Sequence, residues 1–407
     1  MYCFQKKYQI NDFFKMKIGI IIKGRSWTFQ LANSLNKSSN LYKLITTYPK
    51  FYLNKYNVPL DKTKSVFFLY IFENIISRFF HPILKKLKIN YDPMVFVDWL
   101  ADTIFSHFYL SKCDFLLVGF GASTKKIIQK AKNKKIKTIY FLNTTHTNSK
   151  YQKIVENEYK KFGLSEMYLK EPISLSNRIH ESIEMADYIG ALSTSQKESF
   201  IDAGFDESKM FLNLMGVDTS LFFPKKVNND KFIVLTNGNN FIRKGIKYLI
   251  DAFNSLKLEN SELWIVGKND INLAKKIVKI EKNNIFKNRL KYEFDLPTLY
   301  NKVDIFCLPS FEEGLPAVIP QAMACGIPII SSHFAKDIVT DGKEGFIIKP
   351  GNVIDIAEKI KFFYDNPKLR LEMGKNARIR AENSFSYDLI AKRIINLCNK
   401  SYQDNKL

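Results

Sequence analysis

The chain has 407 residues, of which 46% are hydrophobic, and this composition excludes a disordered chain and allows two or three domains. It carries 62 Lys and Arg against 40 Asp and Glu, and the formal net charge of +22 has two explanations that the composition does not separate: an anionic partner, or a codon bias toward lysine and asparagine. No run approaches the roughly 20 apolar residues of a spanning helix, so the sequence does not predict a transmembrane protein.

The cysteines are scattered and contain no Cys-x-x-Cys pair, a pattern typical of reduced core thiols in a cytoplasmic protein. They are Cys3, Cys113, Cys307, Cys325 and Cys398. Neither a disulfide framework nor a zinc site is therefore expected. Residues 1–15 lack the apolar core of a signal peptide and are predicted to be either a dispensable extension or a misassigned start, because a clear strand begins at Met16.

Short β-branched runs alternate with lysine-rich helical segments along the chain. Predicted strands cover 17–22, 114–120, 136–142, 232–238, 262–267, 304–310 and 327–332. Predicted helices lie between strands at 124–133, 246–255, 316–324 and 353–366. Continuously apolar strands are typical of parallel sheets that are buried on both faces, so the pattern predicts an α/β fold.

The pattern breaks at "LFFPKKVNNDKF" (221–232), where a proline and a polar run precede a new strand. We therefore predict two Rossmann-like domains, at 16–223 and 224–385. The C-terminal segment 386–407 contains an amphipathic helix from Tyr387 that is expected to pack back on the first domain.

The segment 65–110 mixes aromatic residues with Arg78, Lys85, Lys86 and Lys88. One interpretation is a surface that docks on anionic lipid headgroups. The other is a core-facing helix with a basic outer side, and it is favoured because the polar residues do not segregate cleanly.

The stretch "EEGLPAVIPQAMACG" follows the strand predicted at 304–310. Ligands of open α/β sheets bind beyond the carboxyl ends of strands, beside helix N-termini. Glu312 and Glu313 occupy that loop, Gly314 permits a close backbone approach, and Pro316 suits the first position of a helix. The N–H groups of this helix would favour an anion, while the two acids have no evident partner in the sequence.

A second candidate site is "TNGNNFIRKG" (236–245), where Arg243 and Lys244 precede a predicted helix. Cations at a helix N-terminus oppose the helix dipole, and a phosphate bound between them would reverse that cost. A solvated basic turn is the alternative explanation.

Together these segments resemble the donor domain of retaining nucleotide-sugar glycosyltransferases of the GT-B fold, in the family often numbered four. The segments are "RKGIKYLIDAF", "DIFCLPSFEEGLPAVIPQAMACGIPIISS" and "DGKEGFIIKPGN", and residues 184–224 resemble the end of that family's acceptor domain. The resemblance implies two Rossmann-like domains that face each other across a cleft. Residues 16–223 would bind the acceptor and residues 224–385 the donor.

The resemblance also implies roles for individual residues. Glu313 matches the first acid of an E-x7-E pattern near the donor sugar, and Gln321 stands where the second acid contacts the ribose. Lys244, with Arg243 beside it, matches a lysine that holds the donor diphosphate. The remaining implied donor contacts are Gly238, Asn239, the backbone of Gly314 and Leu315, and Gly24 beneath the diphosphate.

His146 matches in placement a histidine near the reacting centre, so the predicted catalytic residues are Glu313, His146 and Lys244. A structural histidine at a strand end is the alternative for His146. Two positions depart from the family pattern: Asn239 replaces an arginine and Gln321 replaces an acid. These departures keep open a catalytically weak paralogue that acts as a binding or accessory subunit.

The resemblance predicts metal-independent transfer with retention of configuration, from a nucleotide sugar to a glycan or lipid-linked glycan. No cofactor or metal is expected, and no Asp-x-Asp pair occurs to hold one. Expected partners are the donor, the acceptor and an anionic membrane surface, at the inner face of a bacterial envelope. A dehydrogenase is rejected because the strand end "FLNTTH" lacks the acid that would bind the cofactor ribose after the glycine-rich turn "GFGAST". A nucleic-acid binder is rejected because the lysines are not interleaved with aromatic residues.

Overall fold

The computed structural model describes most of the chain. The described residues are 16–24, 26–80, 83, 93–107, 113–119, 122, 124–165, 173–225, 227, 230–267, 271–287, 296–314 and 316–404. Leu315, Cys3 and the predicted extension at residues 1–15 lie outside them.

Two sheets organise the described residues, and their neighbouring strands with a defined register run parallel. The first has the order β3-β2-β1-β4-β5-β6-β7, with β1 Ile18–Ile22, β2 Leu41–Thr46, β3 Thr63–Ser65, β4 Phe115–Gly119, β5 Lys137–Phe141, β6 Tyr188–Ala191 and β7 Met210–Leu212. The second has the order β10-β9-β8-β11-β12-β13, with β8 Phe232–Asn237, β9 Ser261–Val266, β10 Asn284–Lys287, β11 Ile305–Leu308, β12 Ile329–Ser332 and β13 Gly345–Ile348. The α/β fold with parallel sheets is confirmed.

Helices connect these strands, as parallel pairing requires. They are α1 Thr28–Lys37, α2 Phe67–Ile75, α3 Met94–His107, α4 Lys125–Asn133, α5 Lys150–Lys161, α6 Ile173–Met185, α7 Thr194–Ile201, α8 Ile246–Leu256, α9 Ile271–Ile277, α10 Leu296–Tyr300, α11 Val318–Ala324, α12 Val353–Asp365, α13 Pro367–Phe385 and α14 Tyr387–Asp404. A π-helical turn, Ile76–Phe80, continues α2, and 3-10 turns occur at Lys50–Tyr56, Glu207–Lys209 and His333–Ala335. None of the helices in the described part of the chain combines the length and apolar character needed to cross a bilayer.

The predicted strands all exist, with ends that shift by one or two residues, because their apolar runs are buried. The helix predicted from Pro316 instead begins at Val318, after a turn at Ala317. Pro316 is therefore not the first helical residue, and α11 is only 7 residues long.

The chain divides into two compact units. One contains the described residues within 1–118, 126–139 and 391–407, and the other contains those within 119–125 and 140–390. The division passes through β4 and β5, so it differs from the domain boundary predicted near residue 224, which stays a prediction. Most of α14 belongs to the first unit, where Lys137 Nζ donates to Ser401 Oγ at 2.8 Å.

The core of the second unit lies on the six-stranded sheet. Helix α8 shows why this sequence forms it: Ile246, Leu249, Ile250 and Phe253 recur at helical spacing and are all buried there. Gly245 precedes the helix with a φ of +66°, a conformation that favours glycine, and a Cβ at this position would lie 2.3 Å from the carbonyl oxygen of Pro309. This close approach brings the start of α8 against the end of β11.

Four cysteines are buried free thiols, as predicted, and the fifth, Cys3, lies outside the described residues. Burial raises the pKa of the Cys113 thiol to about 11, so it stays protonated. These thiols therefore act as core side chains.

The helix predicted after residue 65 faces the core on one side, but the outer side of α2 and the π-helical turn is mostly apolar rather than basic, and Lys85, Lys86 and Lys88 lie outside the described residues. Leu69 and Ile76 are buried, but Phe67, Phe68 and Ile71 are exposed. The apolar residues are spread around the whole helix, so packing on one side leaves a second apolar side uncovered.

Candidate functional site

The turn between β8 and α8 places two cations beside the loop that follows β11. The side chain of Asn240 closes this turn, because its Oδ1 accepts from the backbone N–H of Arg243 at 2.9 Å and from the hydroxyl of Tyr159 at 3.0 Å. The backbone N–H of Phe311 then donates to the carbonyl of Arg243 at 2.8 Å. The two loops are thus joined by backbone as well as side-chain contacts.

Lys244 is buried, and its aliphatic stem lies across Gly238. A Cβ on Gly238 would lie 2.9 Å from Cγ of Lys244, so a larger residue at this position would push the lysine away. The Nζ of Lys244 forms an ion pair with Oε1 of Glu313. Burial lowers the pKa of Lys244, while Glu313 acts in the opposite direction.

Glu313 is also buried and accepts from the hydroxyl of Ser310 at 2.7 Å. Arg243 Nη1 lies 3.5 Å from its second oxygen, Oε2. Burial alone would raise the pKa of Glu313, but Lys244 and Arg243 outweigh it and hold the pKa below its usual value. Glu313 is therefore a carboxylate near neutral pH.

Glu312 connects Arg243 to the loop after β5. Arg243 Nη1 donates to the Glu312 carbonyl at 2.9 Å and to its Oε2 at 3.0 Å, and the hydroxyl of Thr145 donates to its Oε1 at 2.9 Å. Burial lowers the pKa of Arg243, but the two carboxylates, Glu313 and Glu312, raise it overall. The acids that lack an evident partner in the sequence are thus both paired in the structure.

We call Arg243, Lys244, Glu312 and Glu313 the charged cluster. It contains two cations and two carboxylates, so its formal charge is near zero. An anion that enters it meets fixed ammonium and guanidinium donors at the carboxyl ends of β8 and β11, where ligands bind in open parallel sheets.

Gly314 lies where the loop after β11 meets the loop after β5. A Cβ on Gly314 would lie 2.1 Å from the carbonyl oxygen of Asn143 and 3.0 Å from Nε2 of Gln196. Ser193 Oγ donates to the Gly314 carbonyl at 2.5 Å. The close approach therefore requires glycine, and the groups that come close are the protein's own Asn143 and Gln196.

His146 follows Thr145 in the loop after β5 and is buried. Its Nδ1 accepts from the backbone N–H of Asn148 at 3.2 Å, so the neutral ring carries its proton on Nε2. The ring stacks on His180, with centroids 4.5 Å apart and planes 19° apart. Burial, followed by the neighbouring His180, lowers the pKa of His146 to about 4.

The other predicted donor residues are placed as follows. Gln321 lies in α11, and within the described residues no donor reaches its buried Oε1. Asn239 follows Gly238, and a Cβ on Gly267 would lie 3.0 Å from its Oδ1. Gly24 lies in the first unit with a φ of +71°, and its N–H donates to Thr47 Oγ1 at 2.7 Å. Leu315 falls outside the described residues, so its predicted role stays untested.

The structure adds residues to the site that sequence reasoning missed. Glu312 was noted in its loop but assigned no role, whereas Thr145, Ser193, Gln196 and Ser310 were not singled out. Thr145 had one signal, its position beside His146 at the end of a strand. Gln196 had none: it lies far along the chain, and its buried amide bridges the N–H of Leu192 at 2.7 Å and the Thr144 carbonyl at 3.0 Å. Among the described residues, no group of three or more His, Cys, Asp or Glu side chains is arranged to hold a metal ion.

Residues 217–380 match the protein family described as glycosyl transferases group 1. The chain is 28% identical over 269 residues to the capsular polysaccharide biosynthesis glycosyltransferase CapM of Staphylococcus aureus, a match that covers 61% of this chain and 68% of CapM. It is 28% identical over 237 residues to N,N'-diacetylbacillosaminyl-diphospho-undecaprenol alpha-1,3-N-acetylgalactosaminyltransferase of Campylobacter jejuni, covering 54% of this chain and 62% of that enzyme.

Among solved structures, Anabaena Alr3699/HepE in complex with UDP and glucose superposes with a TM-score of 0.63 at 17% identity. The superposition covers 94% of this chain and 99% of that one, so the likeness in fold extends to the N-terminal half, where the sequence resemblance is weak. The chain therefore has the GT-B fold, and over residues 217–380 it resembles the glycosyl transferases group 1 family.

Proposed function

We propose that the protein transfers a sugar from a nucleotide sugar to a glycan or lipid-linked glycan, with retention of configuration and without a metal ion. The charged cluster carries this proposal, because it brings two cations and a buried carboxylate to one edge of a parallel sheet. An ammonium group has three N–H donors, and Glu313 occupies one of those of Lys244. No acceptor in the described part of the chain uses the other two, which would bind the donor diphosphate with Arg243 beside them.

The nucleotide ribose is assigned to Gln321. Its Oε1 is buried and has no donor among the described residues, although buried polar atoms are usually paired. A ribose hydroxyl would supply the missing hydrogen bond. The donor sugar is assigned to Glu313 and to the backbone at Gly314 and Leu315, with Gly238 and Asn239 in the turn near the diphosphate.

The proposed chemistry follows from where charge develops. The bond between the sugar anomeric carbon and the diphosphate oxygen breaks, and negative charge grows on the leaving phosphate, where Lys244 and Arg243 stabilise it. The acceptor hydroxyl forms the new bond on the same face and gives its proton to a leaving phosphate oxygen. His146, neutral with its proton on Nε2, would donate a hydrogen bond near the reacting centre.

The acceptor is proposed from the relatives. One carries diphospho-undecaprenol in its name and another belongs to capsular polysaccharide biosynthesis. An acceptor of this kind is presented at a membrane, so we propose peripheral association with the inner face of a bacterial envelope. No nucleic-acid partner is proposed.

The decisive experiment pairs nucleotide binding with sugar transfer. Wild-type protein is screened by thermal shift against a panel of nucleotide sugars, since a ligand that binds the folded state raises its melting temperature. The best donor is then assayed for transfer with and without a chelator, and the anomeric configuration of the product is read by NMR. Transfer with inversion, or transfer abolished by the chelator, would each contradict a part of the proposal.

A catalytically weak paralogue that serves as an accessory subunit is the second candidate, and Asn239 and Gln321 motivate it. Both replace charged residues of the family pattern. Absence of transfer to any lipid-linked acceptor, together with weak or absent nucleotide binding, would favour this candidate.

A further inference from the structure

The first unit carries an exposed apolar surface that the proposed site does not use. Nine of the twenty large apolar side chains that are exposed in the described part of the chain lie between residues 67 and 99. Six of them belong to α2 and its π-helical turn, namely Phe67, Phe68, Ile71, Ile75, Phe79 and Phe80. Phe79 is 63% exposed and Phe68 53%. Contiguous patches of this kind mark interaction sites.

Helix α3 continues the same surface. Phe72 of α2 meets Phe96 of α3 with ring centroids 6.4 Å apart, and Phe96 stacks on Trp99 at 5.8 Å. Both Phe96 and Trp99 are exposed. We call the exposed side chains of α2, the π-helical turn and α3 the apolar face.

The 3-10 turn at 50–56 adds aromatics with basic neighbours. Tyr48 joins it to α2, because its ring lies 5.6 Å from Tyr70 and 5.8 Å from Tyr52. Phe51 and Tyr52 are exposed there. The turn therefore extends the apolar face at its edge.

The charge around the apolar face is positive. Lys50, Lys55, Lys64 and Arg78 are exposed, and Lys126 lies 4.4 Å above the ring of Trp99. Between residues 48 and 80, Asp61 is the one exposed acid and Glu73 is half-buried. Lys85, Lys86 and Lys88 follow in the sequence.

This combination identifies the occupant. A second copy of the chain would bring another basic rim against the first, and the two would repel. An anionic bilayer complements both features: its headgroups attract the basic rim, and aromatic side chains favour the boundary between headgroups and acyl chains. A short helix with exposed aromatic side chains and basic neighbours is suited to lie in the plane of the interface.

We propose that the apolar face docks on an anionic lipid bilayer, with α2 and its π-helical turn inserted at the headgroup boundary. This inference rests on the proposed function in one respect: docking brings the enzyme to a membrane that presents its lipid-linked acceptor. Binding to lipid needs neither donor nor acceptor, so it is measured separately from transfer.

The test is co-sedimentation of the full chain with vesicles of phosphatidylcholine alone or mixed with phosphatidylglycerol. Wild type is expected to pellet with the mixed vesicles at low salt and to be released as salt rises, because screening weakens its attraction to the headgroups. Equal binding to neutral vesicles, or binding to neither, would overturn the proposal.

Substitutions separate the apolar contribution from the charge. The triple variant Phe68→Ser, Ile71→Ser, Phe79→Ser is expected to bind mixed vesicles at least about tenfold more weakly. Its matched control changes three exposed apolar residues of the second unit, Ile354, Leu371 and Ile379, to serine and should bind like wild type. Equal loss in both variants would contradict a specific face.

The charge is tested with Lys50→Glu and Arg78→Glu together, against the exposed pair Lys279→Glu and Lys368→Glu of the second unit. The first pair should weaken binding more strongly, by at least about fivefold per residue, although the net charge changes equally. Sedimentation velocity without lipid adds a further outcome: a wild-type dimer that the triple variant loses would assign the face to self-association and overturn the proposal.

Nucleotide binding by calorimetry completes the set. Variants that lose vesicle binding but keep nucleotide binding support the docking face. A wild type that pellets with lipid but binds no nucleotide would overturn the proposed function and leave the docking face standing.

Discussion

Lys244 and Glu313 form a buried ion pair between the turn after β8 and the loop after β11. Ser310 donates to the same carboxylate oxygen, and Arg243 approaches the other one. The loops that are proposed to hold the two ends of a sugar diphosphate are therefore connected before any ligand arrives. A diphosphate that binds here has to share Lys244 with Glu313.

Replacement of Lys244 by Met is expected to reduce both stability and activity. Because Lys244 stands at a helix N-terminus, where a cation is unfavourable, removal of its charge would by itself cost little stability. The change also leaves the buried carboxylate of Glu313 without its partner, which costs about 3–5 kcal/mol. Turnover is expected to fall about 10²–10³-fold, as for other groups that stabilise transition-state charge. Chemical denaturation and the transfer assay measure the two effects.

The control for this change is Lys247→Met, which removes the neighbouring partly exposed pair with Asp251 and should cost less than about 1 kcal/mol. The double variant Lys244→Met, Glu313→Gln should regain much of the lost stability but no activity. A double variant as unstable as Lys244→Met would show that the ion pair is not the cause.

Gln321 is expected to bind the nucleotide ribose through its Oε1, for which the described residues supply no donor. Gln321→Leu should weaken binding of the nucleoside diphosphate about fivefold to tenfold, since a neutral hydrogen bond contributes about 0.5–1.5 kcal/mol. Gln321→Glu should change the affinity by about tenfold or less and retain transfer. Calorimetry decides, and binding that appears only in Gln321→Glu would favour the accessory-subunit candidate.

The low pKa of His146 predicts that the protein loses stability in acid. Its folded pKa of about 4 lies below the ordinary value of 6.5, so the unfolded chain takes up the proton first as the pH falls. This group leaves the free energy of unfolding unchanged above about pH 6.5 and lowers it as the pH falls, by about 2–3 kcal/mol near pH 4. His146→Gln should therefore show a shallower decline in the free energy of unfolding over this range.

The control is His107→Gln, at an exposed histidine of the first unit. It should decline with pH as wild type does. An equal slope in wild type and His146→Gln would show that this ring is not held in its neutral form by the fold.

Gly314→Ala tests the close approach between the loops after β5 and β11. Its Cβ would lie 2.1 Å from the Asn143 carbonyl oxygen, so one loop has to move, and we expect a cost of at least about 2 kcal/mol and a loss of nucleotide binding. Gly342→Ala is the control, because its Cβ meets no atom within 4 Å and only its φ of +77° is strained, which costs about 1 kcal/mol. Similar losses in both variants would contradict the role of the contact.

The sequence alone was sufficient for the layout of the fold and for part of the site. Strands such as β8 and β11 are recognisable because a strand buried on both faces is continuously apolar, and this property is local. Strand ends in a parallel sheet share one edge, so the loops that carry Lys244 and Glu313 could be expected to meet there.

Only the tertiary structure decided which groups pair and which are exposed. Thr145 is 167 residues away from Glu312, and His180 stacks on His146 from another helix, so neither contact has a signature in a single sequence. The same holds for α2, whose residues are apolar on every side. Burial and ionisation depend on the neighbours that packing supplies, and those neighbours lie far apart along the chain.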